Sequence, residues 1–185
     1  MTDTFYTKPA IATMCTKYIK NNIPTLISFE TDLIIEPSAG QGAFFEGIKT
    51  LAKMAIYYDI EPKHKSIKRV DFLKYDFHKV ERTFLSGLWY DYVHVIGCPP
   101  FGDDPDYSLA TQFIENACTF AKTVSFILPT NIRRDIFPSN YTCVFAIDLP
   151  KNSFMMTPPP TTTTNEMFAV DYDIDAVFGI WVRKD

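Results

Sequence analysis

Five short apolar runs, each closed by a polar or turn-forming residue, set the strongest constraint on how this chain can fold. They are "DLIIE" (32–36), "AIYYD" (55–59), "SIKRVD" (66–71), "YDYVHVIG" (90–97) and "TVSFILP" (123–129). Helical patterns stand between or before them: "KPAIATMCTKYIKNN" (8–22), a glycine turn running into helix over "SAGQGAFFEGIKTLAK" (38–53), a short "HKVERTF" (78–84), and "SLATQFIENACTFAK" (108–122). In the first of these, Ile11, Cys15, Tyr18 and Ile19 recur at helical spacing, and Pro9 sits where a missing N–H costs little. In the last, Leu109, Phe113, Ala117 and Phe120 share one face. Strands alternating with helices predict an α/β chain: a mostly parallel sheet with helices on both faces. Two further alternating runs, 141–150 and 176–184, predict an antiparallel pair at one edge, which makes seven strands.

Such sheets take ligands beyond the carboxyl ends of their strands, where strand order reverses. Glu36, Asp59, Asp71 and Cys98 fall at or just past the ends of the first four strands. They are therefore the first candidates for chemistry. Asp59 and Asp71 could equally be strand-end or turn caps.

Composition narrows the class. With 46% hydrophobic and 15% aromatic residues over 185 positions, the chain can bury the core of one domain spanning 1–185. No apolar run reaches the roughly 20 residues of a membrane span, so no membrane partner is expected. The N-terminus lacks a basic start followed by an apolar stretch, and Cys15, Cys98, Cys118 and Cys143 show no CxxC or metal spacing. Reduced thiols in a non-secreted, cytoplasmic or nuclear protein without a metal are the expectation. The net charge of −4 disfavours a surface that is basic throughout. Lys63, Lys65, Lys68 and Arg69, and separately Arg133 and Arg134, form local groups that read first as solvated charge. "TPPPTTTTN" (157–165) reads as a flexible loop.

"LIIEPSAGQGAFF" combines a strand, an acid, a Gly-x-Gly turn and a helix start. Phe45 stands where a dinucleotide fingerprint needs its third glycine, which lowers the nicotinamide and flavin readings. With four other stretches, it resembles the S-adenosylmethionine (SAM)-dependent methyltransferases that modify exocyclic amines, in particular adenine N6. "EPSAGQGAF" resembles that family's first motif, "YYDIEP" and "VDFLKYDF" the acidic motifs after the second and third strands, and "FYTKP" the N-terminal motif that closes over the cofactor. "CPPF" resembles the family's Asn-Pro-Pro-Phe/Tyr. The five occur in the family's order and span nearly the whole chain.

The resemblance implies a Rossmann-like methyltransferase fold and SAM as cofactor. It implies that Glu36, Pro37, Ser38, Ala39, Gly40 and Gly42 form the cofactor loop, with Glu36 toward the methionine end. Asp59 and the neighbouring Ile60 would serve the ribose, Asp71 and Phe72 the adenine, and Tyr6 and Thr7 the methionyl group. On the target side it implies that the Pro99 carbonyl accepts an N–H of the amine, that Pro100 completes the turn, and that Phe101 stacks on the base. The substrate would be a nucleic acid presenting a single-stranded or flipped adenine. A protein amine such as a glutamine side chain is the alternative. No target-recognition domain is visible, so a partner subunit or a structured RNA would supply specificity. The acidic "GDDPDYS" (102–108) would repel phosphate, and "NIRRDIF" (131–137) could supply a basic edge.

Cys98 departs from the family pattern, because the asparagine that accepts the second amine N–H is gone. By analogy with removing one preorganised polar group, this costs about 10²–10³ in rate. Three readings compete: a tolerated cysteine in a slow enzyme, a chain that has lost chemistry and binds or scaffolds, and a cysteine nucleophile. The third is ranked lowest, because no activating partner is evident and the order is not Pro-Cys. His94 reads as a structural or surface histidine.

Overall fold

A computed structural model of the protein describes residues 5–76, 90–102, 108–132, 136–156 and 170–184. The expected helix over 78–84, the acidic positions 103–107, Arg133 and Arg134, and the loop at 157–165 lie outside the described residues.

Ten strands occur among the described residues: β1 (Phe5–Thr7), β2 (Leu33–Glu36), β3 (Met54–Asp59), β4 (Lys68–Arg69), β5 (Val93–Gly97), β6 (Thr123–Pro129), β7 (Tyr141–Asp148), β8 (Phe154–Met156), β9 (Val170–Tyr172) and β10 (Ala176–Arg183). Three helices accompany them: α1 (Pro9–Asn22), α2 (Phe45–Ile48) and α3 (Ser108–Cys118). Seven strands form the main sheet in the order β4-β3-β2-β5-β6-β10-β7. β2 through β6 pair in parallel, and β10 runs antiparallel to both β6 and β7. The expected mostly parallel sheet with an antiparallel edge pair is what the chain forms.

Side-chain alternation along these strands builds two cores, one on each face. Leu33, Ile35, Val93, Val95, Val124 and Phe126 pack with α3 through Ala110, Phe113, Ile114 and Ala117. Ile34, Ile96, Ile127, Phe178 and Ile180 pack on the opposite face with Ala12, Cys15 and Ile19 of α1 and with Phe44 and Ile48 at α2. α1 starts with Pro9 in its first turn; of the face its spacing predicts, Cys15 and Ile19 are buried and Ile11 and Tyr18 half-buried, and Ala12 and Thr16 are buried beside them.

Two expectations are corrected. The helix expected to run to residue 53 is one α-turn followed by tighter turns, with Thr50 N–H donating to the Gly47 carbonyl and Leu51 N–H to that of Ile48. Gly47 weakens helix at this point, yet a Cβ there would collide with the Thr16 side chain of α1. Close packing between α1 and α2 therefore outweighs propensity. The third strand, expected over 66–71, pairs only at Lys68 and Arg69, because the chain turns at Asp71 into a 3₁₀ turn over Phe72–Lys74.

A second, three-stranded antiparallel sheet, β1-β8-β9, was not expected. Thr7 pairs with Phe154 and Phe5 with Met156, and Lys8 N–H donates to the Ser153 carbonyl. This small sheet brings Phe5, Tyr6 and Thr7 to the cavity described below.

Candidate functional site

Strand order reverses between β2 and β5, so the loops after these neighbours diverge and leave a cleft at their carboxyl ends. A cavity of about 740 Å³ occupies it. The loop after β2 contributes Pro37, Ser38, Ala39 and Gly40, with Glu36 at its root. The end of β3 contributes Asp59 and Ile60, and the turn after β4 contributes Asp71 and Phe72. Tyr6 and Thr7 enter from β1, and Cys98, Pro99, Pro100 and Phe101 from the turn after β5. All the sequence candidates except Gly42 line this one cavity. Gly42 sits one step back, with φ +86°, and a Cβ there would strike the Phe45 ring. Its glycine serves the turn.

The loop after β2 is held by Asp59, one of the acids expected to bind. Asp59 accepts the Gly40 N–H at 2.7 Å through one oxygen and the Glu61 N–H at 2.8 Å through the other. Ala39 N–H donates to the Tyr58 carbonyl at 2.8 Å. Gly40 has φ +52°, and a Cβ there would lie 2.9 Å from Tyr6 Cδ1, so glycine allows both the turn and the Tyr6 ring above it. Asp71 accepts the Leu73 N–H at 3.1 Å and caps the 3₁₀ turn. Asn116 of α3 donates to the Phe72 and Tyr75 carbonyls and braces that turn from the far side.

Glu36 is buried at 1% exposure, and its Oε2 has no hydrogen-bond partner. Burial, reinforced by the nearby Asp59 charge, raises its carboxyl well above the ordinary range. An orphaned acid lining a cavity is poised for a ligand group that donates hydrogen bonds or carries positive charge.

On the opposite wall the Cys98 sulfur lies 4.0 Å from the Pro99 carbonyl oxygen. Burial pushes the thiol up to about 12; the Thr7 hydroxyl acts against this and Glu36 adds to it. At neutral pH the group is a protonated thiol, which argues against the nucleophile reading. Phe101 packs edge-on against Phe154, with centroids 5.8 Å apart at 81°. Sequence reasoning missed Phe154, because its three-residue strand carries no period to detect. Leu109 and Phe113 also line the cavity, and they belong to the helix face that the spacing had singled out.

His94 is fully buried at the other end of the sheet. Its Nε2 lies 3.0 Å from Asp32 and its Nδ1 2.8 Å from the Thr123 hydroxyl. Its role is structural, and the surface alternative is corrected. The four cysteines are free. Among the described residues no three His, Cys, Asp or Glu side chains group to hold a metal ion, and no helix is long and apolar enough to cross a membrane.

No protein-family model matches the chain, and no curated protein matches it. Solved structures do. A protein from Pyrococcus horikoshii, provisionally assigned as an RNA methyltransferase, superposes with TM-score 0.59 at 13% identity over 95% of this chain and 85% of that one. The N-methyltransferase NodS from Bradyrhizobium japonicum gives 0.57 at 10% identity over 96% and 98%. Magnesium protoporphyrin IX methyltransferase from Synechocystis, solved with bound SAM, gives 0.54 at 9% over 95% and 79%. At these identities the likeness establishes the fold, which is the Rossmann-like methyltransferase fold.

Proposed function

We propose that the protein is a SAM-dependent methyltransferase acting on an exocyclic amine, with adenine N6 of a DNA or RNA as the acceptor. The observation that carries this reading is the single cavity shared by Glu36, Gly40, Asp59 and Asp71 on one side and Cys98–Phe101 on the other. The methyltransferase fold, an N-methyltransferase and an assigned RNA methyltransferase among its structural likenesses, and one likeness with SAM bound all support it.

The residues present fit the cofactor. The orphaned Glu36 Oε2 suits the methionyl ammonium, and the Asp59 carboxylate suits paired ribose hydroxyls. Asp71 and Phe72 would take the adenine, and Tyr6 and Thr7 would cover the methionyl end. When bound, SAM supplies a methyl group activated by its sulfonium. The chain's own task is positioning and electrostatics. The Pro99 carbonyl would accept one N–H of the target amine and Phe101 would carry the base on its face. The neutral Cys98 thiol is a weak acceptor at best, so the second N–H is poorly held.

That weakness favours a second reading, in which the chain is an impaired methyltransferase-fold subunit that binds cofactor and supports a catalytic partner. Transfer of labelled methyl from SAM to single-stranded DNA and RNA oligonucleotides, with product bases identified by mass spectrometry, separates the two. Weak N6-methyladenine formation, raised at least about ten-fold by Cys98→Asn, supports the enzyme. A silent parent rescued by Cys98→Asn supports the impaired subunit. SAM binding with no transfer from either protein overturns the adenine assignment.

A further inference from the structure

Ser38 lines the cavity with the rest of its loop, but its hydroxyl is engaged by the other wall. Its hydroxyl donates to the Cys98 carbonyl at 2.9 Å, across 60 positions of sequence. The next two residues turn the other way: Ala39 N–H donates to the Tyr58 carbonyl and Gly40 N–H to the Asp59 carboxylate. Three consecutive residues thus tie one loop to both walls of the cavity. The tie to the target wall matters because the two residues after Cys98 are prolines. Pro99 and Pro100 have no N–H, so this turn is fixed largely through its carbonyls. Ser38 takes the first carbonyl, that of Cys98, while Pro99, which lines the cavity, has its carbonyl oxygen 4.0 Å from the Cys98 sulfur.

We propose that Ser38 is a positioning residue that couples occupancy of the cofactor half of the cavity to binding of the acceptor base in the other half. The inference rests on the proposed function. A ligand lying against Pro37–Gly40 restrains that loop, and through the Ser38 hydroxyl it restrains the turn carrying Pro99 and Phe101. The acceptor base then meets a wall that is already ordered and loses less conformational entropy on binding. Coupling of this kind is reciprocal: the base must strengthen cofactor binding by the same factor.

The test uses the whole chain, S-adenosylhomocysteine (SAH) as the cofactor-site probe and a fluorescent single-stranded oligoadenylate as the acceptor probe. Anisotropy gives oligonucleotide affinity with and without saturating SAH, and calorimetry gives SAH affinity with and without oligonucleotide. In the wild type each ligand should tighten the other about five-fold or more, and Ser38→Ala should bring that factor to within about two-fold of unity. Ser38→Thr, which keeps the hydroxyl, should retain the coupling.

Undiminished coupling in Ser38→Ala overturns the inference. So does equal loss in Ser38→Thr and Ser38→Ala, which would mark a merely structural position. Wild-type protein that binds SAH without any effect on the oligonucleotide overturns the coupling and leaves the cofactor reading standing. Wild-type protein that binds no SAH overturns both.

Discussion

Asp59 accepts the Gly40 N–H at 2.7 Å, which joins the end of the second main-sheet strand to the glycine turn beyond the first. The carboxylate that would meet the cofactor's ribose is thus already oriented, and so is the loop it would share with the ligand. Asp59→Ala should lower SAH affinity by about ten-fold or more and cost about 1–3 kcal/mol of stability, because two backbone donors lose a charged acceptor. Asp59→Asn keeps one acceptor oxygen and should lie between the parent and Asp59→Ala. Calorimetry and thermal melting of the three proteins check this.

Glu36 is expected to make cofactor binding depend on pH. Burial, then the Asp59 charge, raises its carboxyl in the free protein. A cationic ammonium beside it would favour ionisation, so cofactor binding should release a proton from Glu36 over the range where the free protein still holds it. Affinity should therefore rise with pH above the ordinary carboxylate range and level off beyond the raised value. Glu36→Gln should bind more weakly and lose this slope. Titrations in buffers of different ionisation enthalpy measure the proton directly. A slope that survives in Glu36→Gln would assign it to another group.

Asp32, near the amino ends of the strands, is expected to act on stability alone. Burial works against its ionisation, but hydrogen bonds from His94, Ser28 N–H and Tyr92 N–H outweigh it and hold the carboxyl below its usual value. A carboxyl lowered in the folded state stabilises above its unfolded value, about 3.9, and that contribution is lost as pH falls through the lower folded value. Asp32→Ala should cost about 1–3 kcal/mol at neutral pH, because buried donors lose their acceptor, and leave a flatter acid limb in denaturant melts. SAH affinity should not change.

Gly47 offers a packing test that is independent of any ligand. Alanine normally favours helix over glycine by about 1 kcal/mol. Here the added methyl meets Thr16, so Gly47→Ala should destabilise by about 1–3 kcal/mol. Gly47→Ala combined with Thr16→Ala, which removes the hydroxyl and methyl that it meets, should recover part of the loss in urea melts.

The sequence made the main sheet legible because its central strands β2, β5 and β6 are buried throughout and bounded by turn residues. It made one wall of the cavity legible because Glu36, Asp59 and Asp71 stand at strand ends, where ligands of such sheets bind. It did not reveal β1, β8 and β9, since three residues are too few for alternation to register. That gap hid Phe154 behind Phe101 and the pairing that brings Tyr6 and Thr7 to the cavity. α2 was read too long, because the packing that demands Gly47 is a tertiary contact. Ser38 was legible only as a member of the glycine loop, since its bond to Cys98 joins the ends of two strands that are neighbours in the sheet but 60 positions apart in sequence.

Direct titration of SAH into the purified chain tests the central claim most simply, because it needs neither an acceptor nor an intact catalytic turn. The account predicts saturable one-site binding that Asp59→Ala weakens by about ten-fold or more and Cys98→Asn leaves nearly unchanged. Absence of binding at millimolar SAH, or binding indifferent to Asp59, would contradict it.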